Sequence, residues 1–347
     1  MLPITLQKEG YDPFIDYLKG VCIFLVVLAH CLPHTEYILF PLWGDQAVPL
    51  FLLIQVFHAY KHGVDEAVKM PNLVKLFNRI FKPFLLLLLF EVFLLVVVLQ
   101  RDPLQVMKTV IIGGGIGPGS YYVWIYIQFA LLLPIIALII KLLNKVVGGG
   151  KICLLMIALS CLWELVCIYI HIPEMLYRLL FFRYFFLIYL GYMWVEKGIL
   201  LDNIRLLLSV VSIAFILMFA YTSINFEPLF FQTDWKIYHW ICYFYVASLF
   251  LFFLKFCYNR LSTKLKEFIG LMGKYSFEIF LLQMFVFAFF PHGMLLDFVG
   301  NKYICATLTI ILTVSLSILP VIVWKRWRGL RLSLIHISEP TRPEPIS

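Results

Sequence analysis

At 347 residues, 63% hydrophobic, 14% charged and with a mean hydropathy of +0.94, the chain is too apolar for a soluble fold. Soluble domains carry about 25% charged residues, and surface-to-volume scaling leaves much of any such domain in water. The solvent implied is a bilayer, and the net charge of +8 does not point to nucleic acid, because the basic residues lie between apolar runs and not in one patch.

The fold class that follows is all-α: a polytopic membrane protein with about ten transmembrane helices at about 20 residues per span. The apolar runs fall at 14–33, 40–60, 83–99, 121–140, 152–170, 178–195, 206–224, 237–256, 275–292 and 303–324. The first run is of full span length and lacks a small-residue cleavage site, so no cleavable signal peptide is expected. It also concentrates ionisable groups, which are costly in lipid and functional candidates by default. Lys19 and His30 are eleven residues apart, about three turns and roughly 16 Å, and so share one face at different depths. Asp16 is placed to pair with Lys19. A low-dielectric setting keeps an imidazole neutral, which suits His30 to take a proton from an acceptor hydroxyl or thiol. Two other readings stand beside this one: a packing histidine near the outer interface, or a metal pair of His30 and His34 with Glu36 nearby.

Between the second and third runs, Lys75, Arg79 and Lys82 recur at near-helical spacing. They suit either anionic lipid or a cytoplasmic anion site able to grip phosphates, of which the 3′-phosphate and pyrophosphate of coenzyme A are one example. The loop at 100–120 contains GGGIGPGS (113–120). It lacks the Lys-Ser/Thr of a P-loop and reads as a flexible or re-entrant segment shaping an outer cavity. Further buried candidates are His58, Glu91, Glu164, Glu278 and Gln283. Helix pinning is the expectation for Glu91 and Glu164; Glu278 is a proton relay, a pin or a partner of His30. The eight cysteines are scattered without a C-x-x-C pair and read as packing residues. The end, LSLIHISEPTR (332–342), resembles the translation of a sequencing-library adapter, so 332–347 is set apart from the fold.

With the first residues in the cytoplasm and each run crossing once, 21 basic residues fall inside and 6 outside. That asymmetry favours both termini in the cytoplasm of a multi-pass protein of the cell or inner membrane.

Taken in order, FIDYLKGVCIFLVVLAH (14–30), VPLFLLIQVF (48–57), NRIFKPF (78–84), SYYVWIYIQFALLLP (120–134), FRYFFLIYLGYMW (182–194) and MGKYSFEIFLLQM (272–284) resemble the acyltransferase-3 family of integral membrane acyltransferases. The resemblance implies one membrane domain over 11–331. It implies transfer of an acyl group, in the first instance acetyl from acetyl-CoA, to a hydroxyl of a cell-surface glycan or lipid-linked sugar. It aligns His30 with the family's first-span histidine, Lys19 with its basic partner and Arg79 with an arginine thought to contact acyl-CoA. The expected catalytic set is His30, Lys19 and Glu278, and the expected donor-binding set is Lys75, Arg79 and Lys82; no metal is expected. His30 lies about 24 Å along the first run, which suits an extracytoplasmic acceptor. Departures from the family pattern are Lys19 in place of arginine, Gln55 and Val56 in place of Ser-Gly, and Gln283 in place of histidine. A glycan-precursor transporter or flippase would use the same buried polar groups to bind without reacting, and a membrane scaffold would tolerate loss of His30.

Overall fold

A chain crossing lipid must satisfy its own backbone polar groups. The computed structural model describes residues 12–31, 40–62, 74–75, 77–195, 204–223, 231, 238–290 and 292–337, and every regular element among them is helical. In chain order these are α1 (Pro13–Cys31), the single turn α2 (Phe40–Trp43), α3 (Ala47–His62), α4 (Phe77–Val98), α5 (Pro103–Ile112), α6 (Tyr121–Val147), α7 (Gly149–Tyr169) and α8 (Glu174–Leu179). They continue with α9 (Phe185–Val195), α10 (Ile204–Ser223), α11 (Tyr243–Phe252), α12 (Thr263–Lys274), α13 (Ser276–Phe289), α14 (His292–Val299) and α15 (Lys302–Ile337).

Each of the ten apolar runs holds a helix, but ten full-length spans are not confirmed. Among the described residues five helices are long and apolar enough to cross a membrane: α1, α4, α6, α7 and Lys302–Pro320 of α15. The pair α12–α13, bent by 72°, makes a sixth if it is one span. Among the described residues, Ala47–Lys61, Leu208–Ala220 and Trp240–Phe252 are shorter apolar helices, in part because apolar residues also build turns. A 3₁₀ turn at Phe181–Tyr184 shortens the helical part of the sixth run, and another at Trp240–Cys242 shortens the eighth.

Local chemistry sets several starts. Asp102 accepts a hydrogen bond from Gln105 N–H (2.9 Å) and caps α5, with Pro103 in the first turn. Ser262 caps α12 (3.4 Å from Leu265 N), and the Asn301 side chain accepts from Tyr303 N–H (2.9 Å) at the start of α15. α15 continues through Ile337; residues 338–347 of the adapter-like tail lie outside the described residues.

α1 is the most enclosed of the five long helices: 56% of its apolar window is buried, against 28% for α4 and for α7, which turn many of their leucines and, in α4, phenylalanines outward. Glycine lets its neighbours close in. A Cβ on Gly20 would overlap the Ile269 carbonyl of α12, and one on Gly273 would overlap the Asp16 carbonyl of α1, so these two helices meet backbone to backbone. Gly191 of α9 seats Val56 of α3 in the same way. α3, α13 and α15 complete the packing around α1.

Candidate functional site

One end of α1 carries charge. Lys19 pairs with Asp16 at 3.4 Å, as the i,i+3 spacing predicts, and Lys61 of α3 pairs with Asp12 at 2.9 Å. Arg79 lies within electrostatic reach of Lys19 and of Tyr126 on α6. Lys19, Lys61 and Arg79 gather at this end with the carboxylates of Asp12 and Asp16, and ammonium and guanidinium groups can grip an anion. Lys75 and Lys82 are exposed on the same stretch of chain as Arg79. The regular spacing read for these three is broken by a wide π-helical turn at Phe77–Phe81, which holds Arg79. Such turns add a residue per turn and re-aim side chains.

The opposite end of α1 carries His30, half-buried, with its ring edge-on to Phe287 of α13 at 5.8 Å between centroids. The glycine-rich segment 113–120 folds in against it. Gly114, Gly115 and Gly119 have φ of +79°, +124° and +79°, a region that side chains rarely adopt. Inside the turn, Gly115 N–H donates to the Val110 carbonyl (2.8 Å), Ser120 Oγ to the Gly113 carbonyl (2.8 Å) and Trp124 Nε1 to the Ile111 carbonyl (3.0 Å). Gly117 sits on the backbone of Met284. Glu91 of α4, fully buried, accepts from Ile116 N–H at 3.2 Å and so ties the segment to the bundle. At its far end, a Cβ on Gly119 would stand 3.3 Å from His30 Nε2. The absent side chain therefore lets the Gly119 backbone pass close to the ring nitrogen, where a Cβ would crowd it.

Aromatic side chains fill the interval between the two ends. Tyr126, beside Arg79, stacks with Phe277 (6.3 Å) and lies 5.9 Å from Tyr122, one turn along α6. Tyr122 meets Phe280 edge-on at 5.3 Å, and the Phe280 ring reaches to 3.7 Å from the Cβ position of Gly119. Tyr126, Tyr122 and Phe280 thus form a continuous column from the cationic mouth to the imidazole. None of them was singled out by the sequence, although tyrosines at i and i+4 on one face of an apolar span are a legible signal.

Glu278 is half-buried in the first turn of α13. It lies next to Phe277, which stacks on Tyr126, and nine residues before Phe287, about 13 Å along the axis. It belongs with the Lys19 end of the bundle rather than beside the imidazole. His58 is exposed on α3, contrary to its expected burial, because it falls on the face of that helix away from α1 and α9. Glu164 is buried and accepts from Tyr177 OH (2.8 Å) and Phe231 N–H (2.9 Å), a pinning role like that of Glu91. Gln283 is fully buried on α13 between Phe280 and Phe287. All eight cysteines are free thiols.

A second polar cluster escaped the sequence reading. Arg183 is almost wholly buried, with its guanidinium over the rings of Tyr177 (5.4 Å), Tyr184 (4.9 Å) and Tyr238 (5.2 Å). The aromatic faces stabilise the buried cation, and the Tyr243 hydroxyl donates to the Arg183 carbonyl at 3.0 Å. This cage fastens the start of α9 to α8 and to the turn before α11. Among the described residues no three His, Cys, Asp or Glu side chains cluster to hold a metal; His34 and Glu36 lie outside them.

Comparison with known proteins gives one match. The family model Acyl_transf_3, described as an acyltransferase domain, matches residues 12–325. No curated protein and no solved structure matches the chain.

Proposed function

Since the chain belongs to the acyltransferase-3 family of membrane acyltransferases, we propose that it moves an acyl group, acetyl in the first instance, from acyl-CoA to a hydroxyl of a cell-surface glycan or lipid-linked sugar. The observation that supports this reading is the close approach of the glycine-rich segment to His30 Nε2 at Gly119, at the opposite end of α1 from Lys19 and Arg79. A hydroxyl that approaches this ring nitrogen meets a base able to take its proton.

His30 takes the hydroxyl proton as the oxygen attacks the thioester carbonyl carbon. The C–S bond then breaks, and the imidazolium returns the proton to the thiolate, leaving an ester and a free thiol. Arg79 and Lys19, with the exposed Lys75 and Lys82 near them, hold the phosphates at the other end. Eleven residues of α1, roughly 16 Å, separate Lys19 from His30, so the arm of the donor spans the aromatic column. Glu278, at the Lys19 end, serves to keep that mouth balanced in charge and to orient its cations. In this scheme the donor is loaded from the cytoplasm and the acceptor arrives from the outer face.

Replacing His30 by alanine, in protein that still reaches the membrane, is expected to lower acetyl transfer by about 10²–10⁴-fold, the usual contribution of a general base. Transfer at the parental rate in a labelled acetyl-CoA assay removes His30 from the mechanism. Arg79→Glu is expected to raise KM for acetyl-CoA with little change in kcat. An unchanged KM returns the basic cluster to lipid anchoring. Movement of a sugar precursor across vesicles without consumption of CoA would favour transport instead.

A further inference from the structure

Threonine and serine in membrane helices ordinarily return their hydroxyls to the carbonyl one turn back. In α15 the exposed Thr307 does so, donating to the Tyr303 carbonyl at 2.8 Å, and Ser209 and Ser212 of α10 behave alike. Thr309, Thr313 and Ser317 do not. They recur every four residues on one face of α15 and are 1%, 0% and 0% exposed. Their hydroxyls have no hydrogen-bond partner among the described residues. α13, which packs on α15, carries Gln283, also 0% exposed, with neither the oxygen nor the nitrogen of its carboxamide partnered among the described residues. Buried polar atoms are partnered in the great majority of cases, and each exception calls for a ligand or water to explain it.

The position of the stripe says which. Cys305 lies within electrostatic reach of Cys31, so α15 starts where α1 ends and runs back along it. Twelve residues separate Cys31 from Lys19 and twelve separate Cys305 from Ser317, about 18 Å in each helix. The three hydroxyls therefore step from the His30 level towards the Lys19 level. Gln283, one turn before Phe287, stands at the depth of Thr309.

We propose that Gln283, Thr309, Thr313 and Ser317 form the polar wall of the donor passage and hydrogen-bond the amide groups of a pantetheine-type arm. This rests on the acyl-CoA reading above. The two amides of such an arm are separated by a single β-alanine unit, comparable with the rise of about 6 Å over the four residues that space the hydroxyls. Each amide brings a donor and an acceptor; hydroxyls and a carboxamide answer both. The column of Tyr126, Tyr122 and Phe280 supplies the apolar surface for the methylenes between them. The stripe selects donors by their arm, independently of the phosphates held at Arg79.

The test compares acetyl-CoA with S-ethyl thioacetate, a thioester without an amide arm, in membranes carrying the full chain. Thr313→Val preserves shape and removes the hydroxyl. It is expected to raise KM for acetyl-CoA about tenfold, with kcat and the rate from S-ethyl thioacetate unchanged. Thr313→Ser restores a hydroxyl and is expected to restore KM. Gln283→Leu is expected to act in the same sense as Thr313→Val. An unaltered KM in both Thr313→Val and Gln283→Leu overturns the inference, as does an equal loss with both donors, which would mean that these groups hold only water or pack the bundle. A parental protein that transfers nothing from acetyl-CoA and is not thermally stabilised by CoA faults the acyl-CoA reading itself, and the inference with it.

Discussion

Gly119 and Glu91 act on the same imidazole from two distances. At φ +79° an L side chain is strained by roughly 1–2 kcal/mol, and the added methyl would stand 3.3 Å from His30 Nε2. Gly119→Ala is therefore expected to cut kcat at least tenfold while KM for acetyl-CoA stays near its parental value, because the methyl crowds the ring nitrogen that the acceptor hydroxyl approaches and not the donor's phosphates. A parental kcat would show that the hydroxyl does not enter there. Glu91 works through the chain: its carboxylate holds Ile116 N–H and thereby the roof over His30. Glu91→Gln keeps an acceptor oxygen and should keep most activity. Glu91→Leu buries an N–H without an acceptor, a cost of about 1–3 kcal/mol, and should lower both thermal stability and kcat. Equal behaviour of the two variants would separate the carboxylate from the roof. Neither glycine nor glutamate announces this in sequence, since twenty-five residues separate Glu91 from Ile116.

Among the elements, α1 and α12 show how much of the assembly rests on absent side chains. Gly20 and Gly273 bring the two backbones into contact, and close approach of this kind replaces the hydrophobic effect as a source of helix association in lipid. Gly273→Leu forces the pair apart and should abolish the folded, monodisperse protein in detergent. Gly270→Ala on the same helix, where a Cβ meets nothing within 4 Å, should be neutral or should stabilise by up to about 1 kcal/mol through helix propensity. If both variants behave alike, the crossing does not depend on the glycine at 273. α12 is also an element that the list of apolar runs left out: it precedes the ninth run, packs on α1 and turns by 72° into α13. The wide turn at Phe77–Phe81 has a similar effect on Arg79, which leaves the helical register that joined it to Lys75 and Lys82.

For the molecule as a whole, composition implies lipid on most of the surface, and the outward leucines of α4 and α7 and phenylalanines of α4 agree with it. The distribution of basic residues, 21 against 6, makes a prediction about sidedness. A cysteine placed at Lys75 in a cysteine-free background should react with an impermeant maleimide only in inverted vesicles, and one placed at Lys108 only in right-side-out vesicles. The reverse pattern would put the cationic mouth on the outer face and remove cytoplasmic loading of the donor. With the predicted sidedness, the Arg79 and Lys19 end faces the pool of nucleotide-bearing donors and the His30 end faces the glycan.

Sequence by itself determined the solvent and the all-α class, and it put His30 above Lys19 on one helix; the family came from six strings in order. Apolar composition and an eleven-residue spacing are local quantities that no packing can reverse. The tertiary structure alone decided what lies between and around those ends. The column of Tyr126, Tyr122 and Phe280, the seat of Gly119 on the imidazole, the tie from Glu91 to Ile116 and the place of Glu278 at the Lys19 end all join residues distant in the chain. Side-chain identity along a uniformly apolar helix carries little directional information, and which face meets which neighbour is set by where glycine lets backbones touch.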